Sequence, residues 1–296
     1  MPPSKADAVL GGGWFFKTGI DTMNMMQNPL RMKAAATYDA ASDRFDAEPL
    51  GFWARHGEQA VARLRLKPKA WVLDVGCGTG ASALPAAAAV GLDGQVIGID
   101  VADKMLAVAR VKAAAQGLYN THFEQADMTT LAYDDDTFDA VVSVFSIFFV
   151  PDMERQAKAL WRLVRPGGQL AVTVWGPDAF QPLARFFADE LRRVRPEVQE
   201  LVRPWERLTQ PENLRALLRK AGAPEAAIET AVDRQPLEQA EDAWTLIMGS
   251  GYRWEVEQLA MEQRVALKDA MLQRVVREGV DKVETSALHA VARKPF

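Results

Sequence analysis

Val72-Leu73-Asp74-Val75-Gly76-Cys77-Gly78-Thr79-Gly80 is a short apolar run that empties into three alternating glycines. Residues 70–75 read as a buried strand, and the alanine-rich residues 81–90 read as a helix. Glycines at 76, 78 and 80 let the chain turn tightly between the two and come close to a ligand. The helix that follows offers unpaired N–H groups to a negative or polar group. A strand, a glycine loop and a helix in that order are the start of an open parallel sheet, whose ligands bind at the carboxyl ends of its strands.

The rest of the chain extends this pattern. Strands are expected at 95–100, 122–125, 138–144 and 170–175, and helices at 102–116 and 153–164. Gly91-Leu92-Asp93-Gly94 and Pro166-Gly167-Gly168 serve as turns. Alternating strands and helices imply right-handed βαβ units and helices on both faces of a mainly parallel sheet. Beyond Trp175 helices dominate, at 180–194, 211–220, 240–248 and 256–278. Two further strands, 226–232 and 282–292, are expected to complete the sheet. A helix at 52–66 precedes the first strand. The expected organisation is an N-terminal helical or lid segment, 1–66, and one α/β domain, 67–296, with a helical insertion at about 178–278. The first thirty residues set Gly11-Gly12-Gly13 before Trp14-Phe15-Phe16 and then Met23, Met25 and Met26. Such side chains seek burial. They suit packing on the domain body, a homodimer contact or a lid over a pocket.

Composition narrows the function classes. The 296 residues carry a net charge of -4 and one cysteine, Cys77. The acidic balance disfavours a dedicated nucleic-acid binder, since the arginines of 185–203 are interrupted by Glu190, Glu197 and Glu200. One cysteine forms no intrachain disulfide, which fits a reducing compartment, by default the cytoplasm. It also rules out a multi-cysteine metal site, and no metal is expected. The longest apolar run, 140–151, is short of the roughly 18–20 residues that span a bilayer. No signal peptide is evident.

Two carboxylates decide the ligand class. Asp100 ends the second strand, where it can accept both hydroxyls of a ribose. Asp74 lies two residues before the first glycine and can hold an ammonium group. A dinucleotide has no such group, whereas S-adenosylmethionine carries one on its methionyl end. Asp74 through Gly80 resembles the first motif of class I S-adenosylmethionine-dependent methyltransferases. Ile97-Gly98-Ile99-Asp100 with Met105-Leu106, Gln125-Ala126-Asp127-Met128, Phe138 to Ser143, and Leu163 to Gly168 resemble the later segments in their expected order. Tyr38-Asp39 through Phe45-Asp46, Ala221-Gly222 and residues 290–295 resemble the ubiquinone/menaquinone-biosynthesis type and its small-molecule relatives.

The resemblance implies a Rossmann-like seven-stranded sheet in the order 3-2-1-4-5-7-6, its seventh strand antiparallel. It also implies site roles. Asp74, Gly76 and Gly78 face the methionyl part of the cofactor, with Cys77 a small side chain of the same loop and Gly80 shaping it. Asp100 holds the ribose, and Val101 and Met105 flank the adenine. Asp127 meets the adenine amino group and Met128 its ring. Phe145 stands near the methionyl group or the acceptor, and Tyr38 closes from the N-terminal side. Of the three histidines, His56 in the N-terminal helix is the candidate general base.

The acceptor is constrained by exclusion. The residues after the fourth strand, Ser143-Val144-Phe145-Ser146, lack the Asn/Asp-Pro-Pro-aromatic loop of amino-methylating enzymes. The lone cysteine offers no separate nucleophile for cytosine C5 chemistry. The expectation is methyl transfer to an oxygen or carbon, less readily a nitrogen, of a small aromatic or apolar molecule. Phe148, Phe149, Trp175, Trp205, Trp244 and the aromatic residues at 14–16 are candidates to line its pocket. The alternatives are a protein or RNA methyltransferase, a non-catalytic binder of the cofactor, and a nicotinamide-dependent oxidoreductase.

Overall fold

The structure is a computed structural model that describes residues 29–197, 203–223 and 225–296. The expectations attached to Trp14, Phe15, Phe16 and the methionines at 23, 25 and 26 lie outside the described residues. Two helices, α1 (Pro29–Ala41) and α2 (Phe52–Leu64), precede the sheet. Then β1 (Trp71–Val75), α3 (Ala83–Val90), β2 (Gln95–Asp100), α4 (Asp103–Ala115) and β3 (Thr121–Gln125) build one half. The other half is β4 (Phe138–Val144), α5 (Met153–Leu163) and β5 (Val164–Trp175). Helices α6 (Leu183–Val194), α7 (Pro211–Lys220), α8 (Ala240–Met248), α9 (Arg253–Glu257) and α10 (Met261–Glu278) follow, interleaved with β6 (Ala227–Ala231) and β7 (Arg234–Pro236). The chain closes with β8 (Lys282–Glu284) and β9 (Ala287–Arg293).

Seven strands form one sheet in the order β3-β2-β1-β4-β5-β9-β6. Counting only its own strands, this is the expected 3-2-1-4-5-7-6. Strands β1 to β5 run parallel to one another, and β9 lies antiparallel between β5 and β6. Because helices pack against the sheet, β1 and β4 are nearly continuous apolar runs: Val72, Leu73, Val75, Ala140, Val141 and Val142 are all buried.

Three local expectations fail. Residues 282–292 are not one strand. Asp233 takes hold of Thr285 through both its backbone carbonyl and its carboxylate, so the preceding β8 pairs with β7 in a separate ribbon. Residues 256–278 are not one helix. Ala260 is extended, and the Gln263 side chain accepts its N–H, so the chain breaks there and restarts as α10. Pro166-Gly167-Gly168 does not separate a helix from a later strand, because β5 already begins at Val164. The glycines sit in a register shift within the β4–β5 pairing instead.

Helix α2 presses on the glycine loop. A Cβ added at Gly57 would lie 2.2 Å from the Ala81 carbonyl oxygen, a backbone atom with no freedom to swing away. Gly57→Ala is therefore expected to destabilise the protein by about 2 kcal/mol: overpacking costs up to about 3 kcal/mol, and the better helix propensity of alanine recovers about 1. A drop in the urea midpoint checks this. An unchanged or higher midpoint would mean that α2 is free to move off the loop.

Candidate active site

The strand order reverses direction between β1 and β4, which opens a crevice at their carboxyl ends. A cleft of about 790 Å³ lies there. Its floor is the glycine loop. The Gly76 and Cys77 N–H groups both donate to the Ile99 carbonyl, at 2.8 and 3.0 Å, which pins the loop to the end of β2. Gly76 has φ +72, and a Cβ there would lie 2.3 Å from the Ser146 Cβ. Glycine is thus required for both conformation and space. Ser146 in turn donates to the Val75 carbonyl at 2.6 Å and bonds the Ser143 hydroxyl at 2.7 Å, which joins the ends of β1 and β4.

Asp100 is a bracket at the mouth. One carboxylate oxygen accepts the Gly78 N–H and the other the Ala102 N–H, each at 2.9 Å. A carboxylate has about four acceptor positions, so two stay available to a ligand. Burial raises its pKa, against the opposing pull of the Ala102 and Gly78 donors. Asp74 sits beneath the loop, 1 % exposed. One oxygen accepts the Ser82 hydroxyl at 2.7 Å, and the other has no partner. Burial pushes its pKa up to about 7, with the Ser82 bond pulling down and Asp100 adding to the rise. Asp74 is not among the residues that line the cleft; its orphaned oxygen lies beneath the loop that forms the floor, a buried demand for a donor or a cation.

Of the expected residues, Tyr38, Gly76, Cys77, Gly78, Asp100, Val101, Met105, Met128 and Phe145 line this one cleft. Gly80 lies behind the loop, its φ of +90 turning the chain into α3. Asp127 stands outside the lining between Ala126 and Met128. It accepts the Thr129 N–H at 2.8 Å as a helix cap and pairs with Arg31 at 3.0 Å. Cys77 is buried, and burial raises its thiol well above the usual range.

Phe145 has φ +52, a rare conformation for an aromatic residue, and such strain gathers at functional sites. Its ring stacks on Trp175 with centroids 3.9 Å apart and meets Trp53 edge-on at 5.4 Å. Behind these rings an aromatic chamber continues from the cleft. Among its walls are Phe148, Phe149, Trp175 and Trp205, four of the aromatic residues singled out in the sequence. Trp244 does not line it; it packs against the core.

His56 requires a correction. It is fully buried and lies behind Phe145, not in the cleft. Its Nε2 is 2.7 Å from the Thr285 carbonyl, which only accepts, so Nε2 must donate. For a neutral ring Nδ1 then accepts from His289 Nε2 at 3.3 Å, and His289 Nδ1 accepts the Thr173 hydroxyl at 2.9 Å. This tautomer chain satisfies every ring nitrogen. Burial lowers both pKa values, and for His289, with neighbouring His56 adding to the effect, to about 3. Both rings are thus held neutral with no lone pair left for a substrate.

Several site contacts had no sequence signal, although Asp39 and Asp46 belong to the stretch that carries the family resemblance. Asp46 accepts the Thr79 hydroxyl and Lys112 Nζ, each at 2.9 Å, and Asp39 accepts the Lys104 N–H at 2.9 Å. These carboxylates fasten the N-terminal segment across the glycine loop and α4. Trp53 lines both cleft and chamber, and its indole N–H has no partner. Only the pairing of distant segments reveals them.

Residues 72–168 match the model of a methyltransferase domain. With its sheet order and its cleft, the chain belongs to the class I S-adenosylmethionine-dependent methyltransferases. It is 31% identical over 169 residues to the ubiquinone/menaquinone biosynthesis C-methyltransferase UbiE of Marinomonas sp. (strain MWYL1), covering 57% of this chain and 66% of that one. It is 29% identical over 228 residues to the aklanonic acid methyltransferase DauC of Streptomyces sp. (strain C5), covering 77% of this chain and 95% of that one. The chain thus spans just under two thirds of the quinone methyltransferases it matches. Among solved structures it resembles the [4+2]-cyclase SpnF, with TM-score 0.52, 24% identity, and coverage of 82% and 81%. That likeness concerns the fold, and a shared fold does not by itself define a reaction.

Among the described residues no cluster of metal-binding side chains occurs, and no helix is long and apolar enough to cross a membrane.

Proposed function

We propose that the protein transfers a methyl group from S-adenosylmethionine to an oxygen or carbon of a small aromatic acceptor held in the aromatic-walled chamber that opens off the cleft past Tyr38 and Phe149. The observation that carries this reading is the pair of carboxylates on either side of the glycine loop. Asp100 presents free acceptor positions to a ribose, and the orphaned oxygen of Asp74 meets the methionyl ammonium, directly or through water. Val101, Met105 and Met128 enclose the adenine, and Asp127 reaches its amino group. Tyr38 and Phe145 bound the methionyl end. The names of the relatives, a ubiquinone/menaquinone biosynthesis C-methyltransferase and an aklanonic acid methyltransferase, support a small-molecule acceptor.

S-adenosylmethionine held by these residues would supply an electrophilic methyl on sulfur for in-line displacement by the acceptor, with S-adenosylhomocysteine as the leaving group and the acceptor's proton released to solvent. The protein's part is placement. Phe145, backed by the Trp175 ring stacked on it and by the edge of Trp53, bounds the methyl-donor end, and the aromatic walls Tyr38, Phe149 and Trp205 fix a planar acceptor on that line, which converts an encounter into a positioned reaction. The aromatic walls exclude water. An ionised phenol or quinol needs little help from a base, which accords with the absence of an available imidazole. We place the described part of the N-terminal segment, 29–66, as the cover of this site and 67–296 as the domain that carries it.

The test is calorimetric titration with S-adenosylhomocysteine, with NADH in parallel, followed by a screen of phenols and quinols for methylated product by mass spectrometry. Micromolar binding of S-adenosylhomocysteine supports the reading. Binding of NADH instead returns the loop to the dinucleotide class. Binding without a product from any acceptor favours a non-catalytic binder.

His56→Ala separates structure from catalysis. It leaves the His289 Nε2–H without an acceptor, at a cost of about 1–3 kcal/mol before any cavity cost. The expected result is a lower thermal midpoint with unchanged affinity for S-adenosylhomocysteine. A variant with wild-type stability and a large loss of kcat would reinstate His56 as the base.

A further inference from the structure

Beyond Tyr38 and Phe149 the cleft opens into a second, outer chamber of about 620 Å³ between α1, α9 and the segment beginning at Arg203. Its walls include Trp205 and Tyr252, yet two of its lining residues, Thr37 and Arg203, each carry a buried polar atom without a partner. The Thr37 hydroxyl is 2 % exposed and makes no hydrogen bond. Arg203 Nε is buried and likewise unpaired. The rest of the guanidinium is held in place: Nη1 donates to Glu206 at 3.1 Å, Nη2 reaches the Ala184 carbonyl at 3.4 Å, and the group lies 5.2 Å from the Tyr252 ring centroid.

Among the described residues, charge at this chamber is unbalanced in one direction. Lys33 and Glu255 pair at 2.8 Å and cancel. The side chain of Arg203 is 15 % exposed, whereas its partner Glu206 is 57 % exposed and screened by water. A buried guanidinium N–H without an acceptor forfeits a hydrogen bond that a ligand oxygen can restore. The planar guanidinium matches a carboxylate better than a neutral hydroxyl. Thr37, on α1, offers a second donor to the same chamber.

We propose that the acceptor is a planar aromatic molecule bearing a carboxylate, whose ring lies among Tyr38, Phe149, Trp205 and Tyr252 and whose anionic end binds Arg203 Nε and Thr37 Oγ1. This rests on the chamber being the acceptor site. The aromatic walls alone accept any flat ring; Arg203 and Thr37 select the acid.

The test uses the full chain saturated with S-adenosylhomocysteine, whose affinity is measured first. The probes are a hydroxynaphthoic acid and the naphthol that lacks its carboxyl group. Wild-type protein is expected to bind the acid at least about tenfold more tightly than the naphthol, the scale of one charge-assisted hydrogen bond. Arg203→Gln is expected to erase that preference while retaining the naphthol and S-adenosylhomocysteine affinities. Thr37→Val, nearly isosteric, is expected to reduce the preference by a smaller factor. Equal affinity for the two probes, no binding of either, or a preference that survives in Arg203→Gln overturns the proposal. Failure of wild-type protein to bind S-adenosylhomocysteine strikes the methyltransferase reading instead, and retained S-adenosylhomocysteine binding in both variants shows that they fold.

Discussion

Asp100→Ala is expected to weaken S-adenosylhomocysteine binding by about 100-fold or more. Two hydrogen bonds from ribose hydroxyls to a carboxylate contribute about 1.5–3 kcal/mol each, and about 1.4 kcal/mol corresponds to a factor of ten. The same substitution strips the acceptor from the Gly78 and Ala102 N–H groups, so the loop that forms the floor of the cleft loses its bracket as well. Calorimetry on the wild type and the variant gives the ratio, and circular dichroism confirms that the fold survives. Retained affinity within a few-fold would mean that the ribose is held elsewhere and that Asp100 serves only to shape the loop. Asp100→Asn adds resolution. It keeps one acceptor oxygen but presents a donor to one backbone N–H, so it should bind more weakly than the wild type.

Asp74→Asn is expected to have opposite effects on binding and stability. In the empty protein burial raises the carboxyl to about 7. That disfavours the charged form by on the order of 4 kcal/mol. An acid whose folded pKa lies above its unfolded value binds more protons when folded. Its contribution to stability is complete below the unfolded pKa near 4 and disappears as pH rises to about 7. An asparagine at this position never ionises. Asp74→Asn should therefore be more stable than the wild type at pH 8, with the gap closing as the pH falls to about 4. Ligand binding runs the other way. An incoming ammonium needs the ionised carboxylate, so wild-type affinity should rise by up to about tenfold per pH unit below about 7 and level off above it. The variant should bind weakly at every pH, with no such slope. Chemical denaturation and calorimetry across pH 5–8 measure both. A wild-type binding profile that is flat over this range would show that Asp74 does not meet the ammonium.

Much of the fold could be read from the sequence because periodicity and glycine placement act locally. Gln95–Asp100, Phe138–Val144, Pro211–Lys220 and Ala240–Met248 fall where the residue pattern puts them. A buried parallel strand must be apolar throughout, and a helix must repeat near 3.6, so each reports itself. The places where the pattern misleads are decided at a distance. Asp233 breaks the strand expected at 282–292 from some fifty residues away, and the Gln263 side chain ends a helix that apolar spacing alone would have continued.

The cofactor cleft was legible for the same local reason: most of its candidate residues sit in the loops that follow β1, β2, β3 and β4, and those loops converge at one end of the sheet. What a strand ends on can be read in sequence. What lies opposite cannot. The spacing of His56 placed it in an N-terminal helix, but only the packed structure shows His289 and Thr285 occupying its nitrogens behind Phe145. Nothing local marks Asp46 as the tether of Thr79, Trp53 as a wall shared by cleft and chamber, or Thr37 and Arg203 as unpaired donors facing one cavity. The sequence by itself determined the alternating strands and helices of a mainly parallel sheet and the acidic residues at the cofactor loop, because those follow from short-range pattern and strand-end chemistry; the strand order came from the family resemblance that the motifs carry. Tertiary structure alone decided that His56 is not free, what closes the site and what the acceptor chamber offers, because burial and hydrogen-bond satisfaction belong to surroundings assembled from residues far apart in the chain.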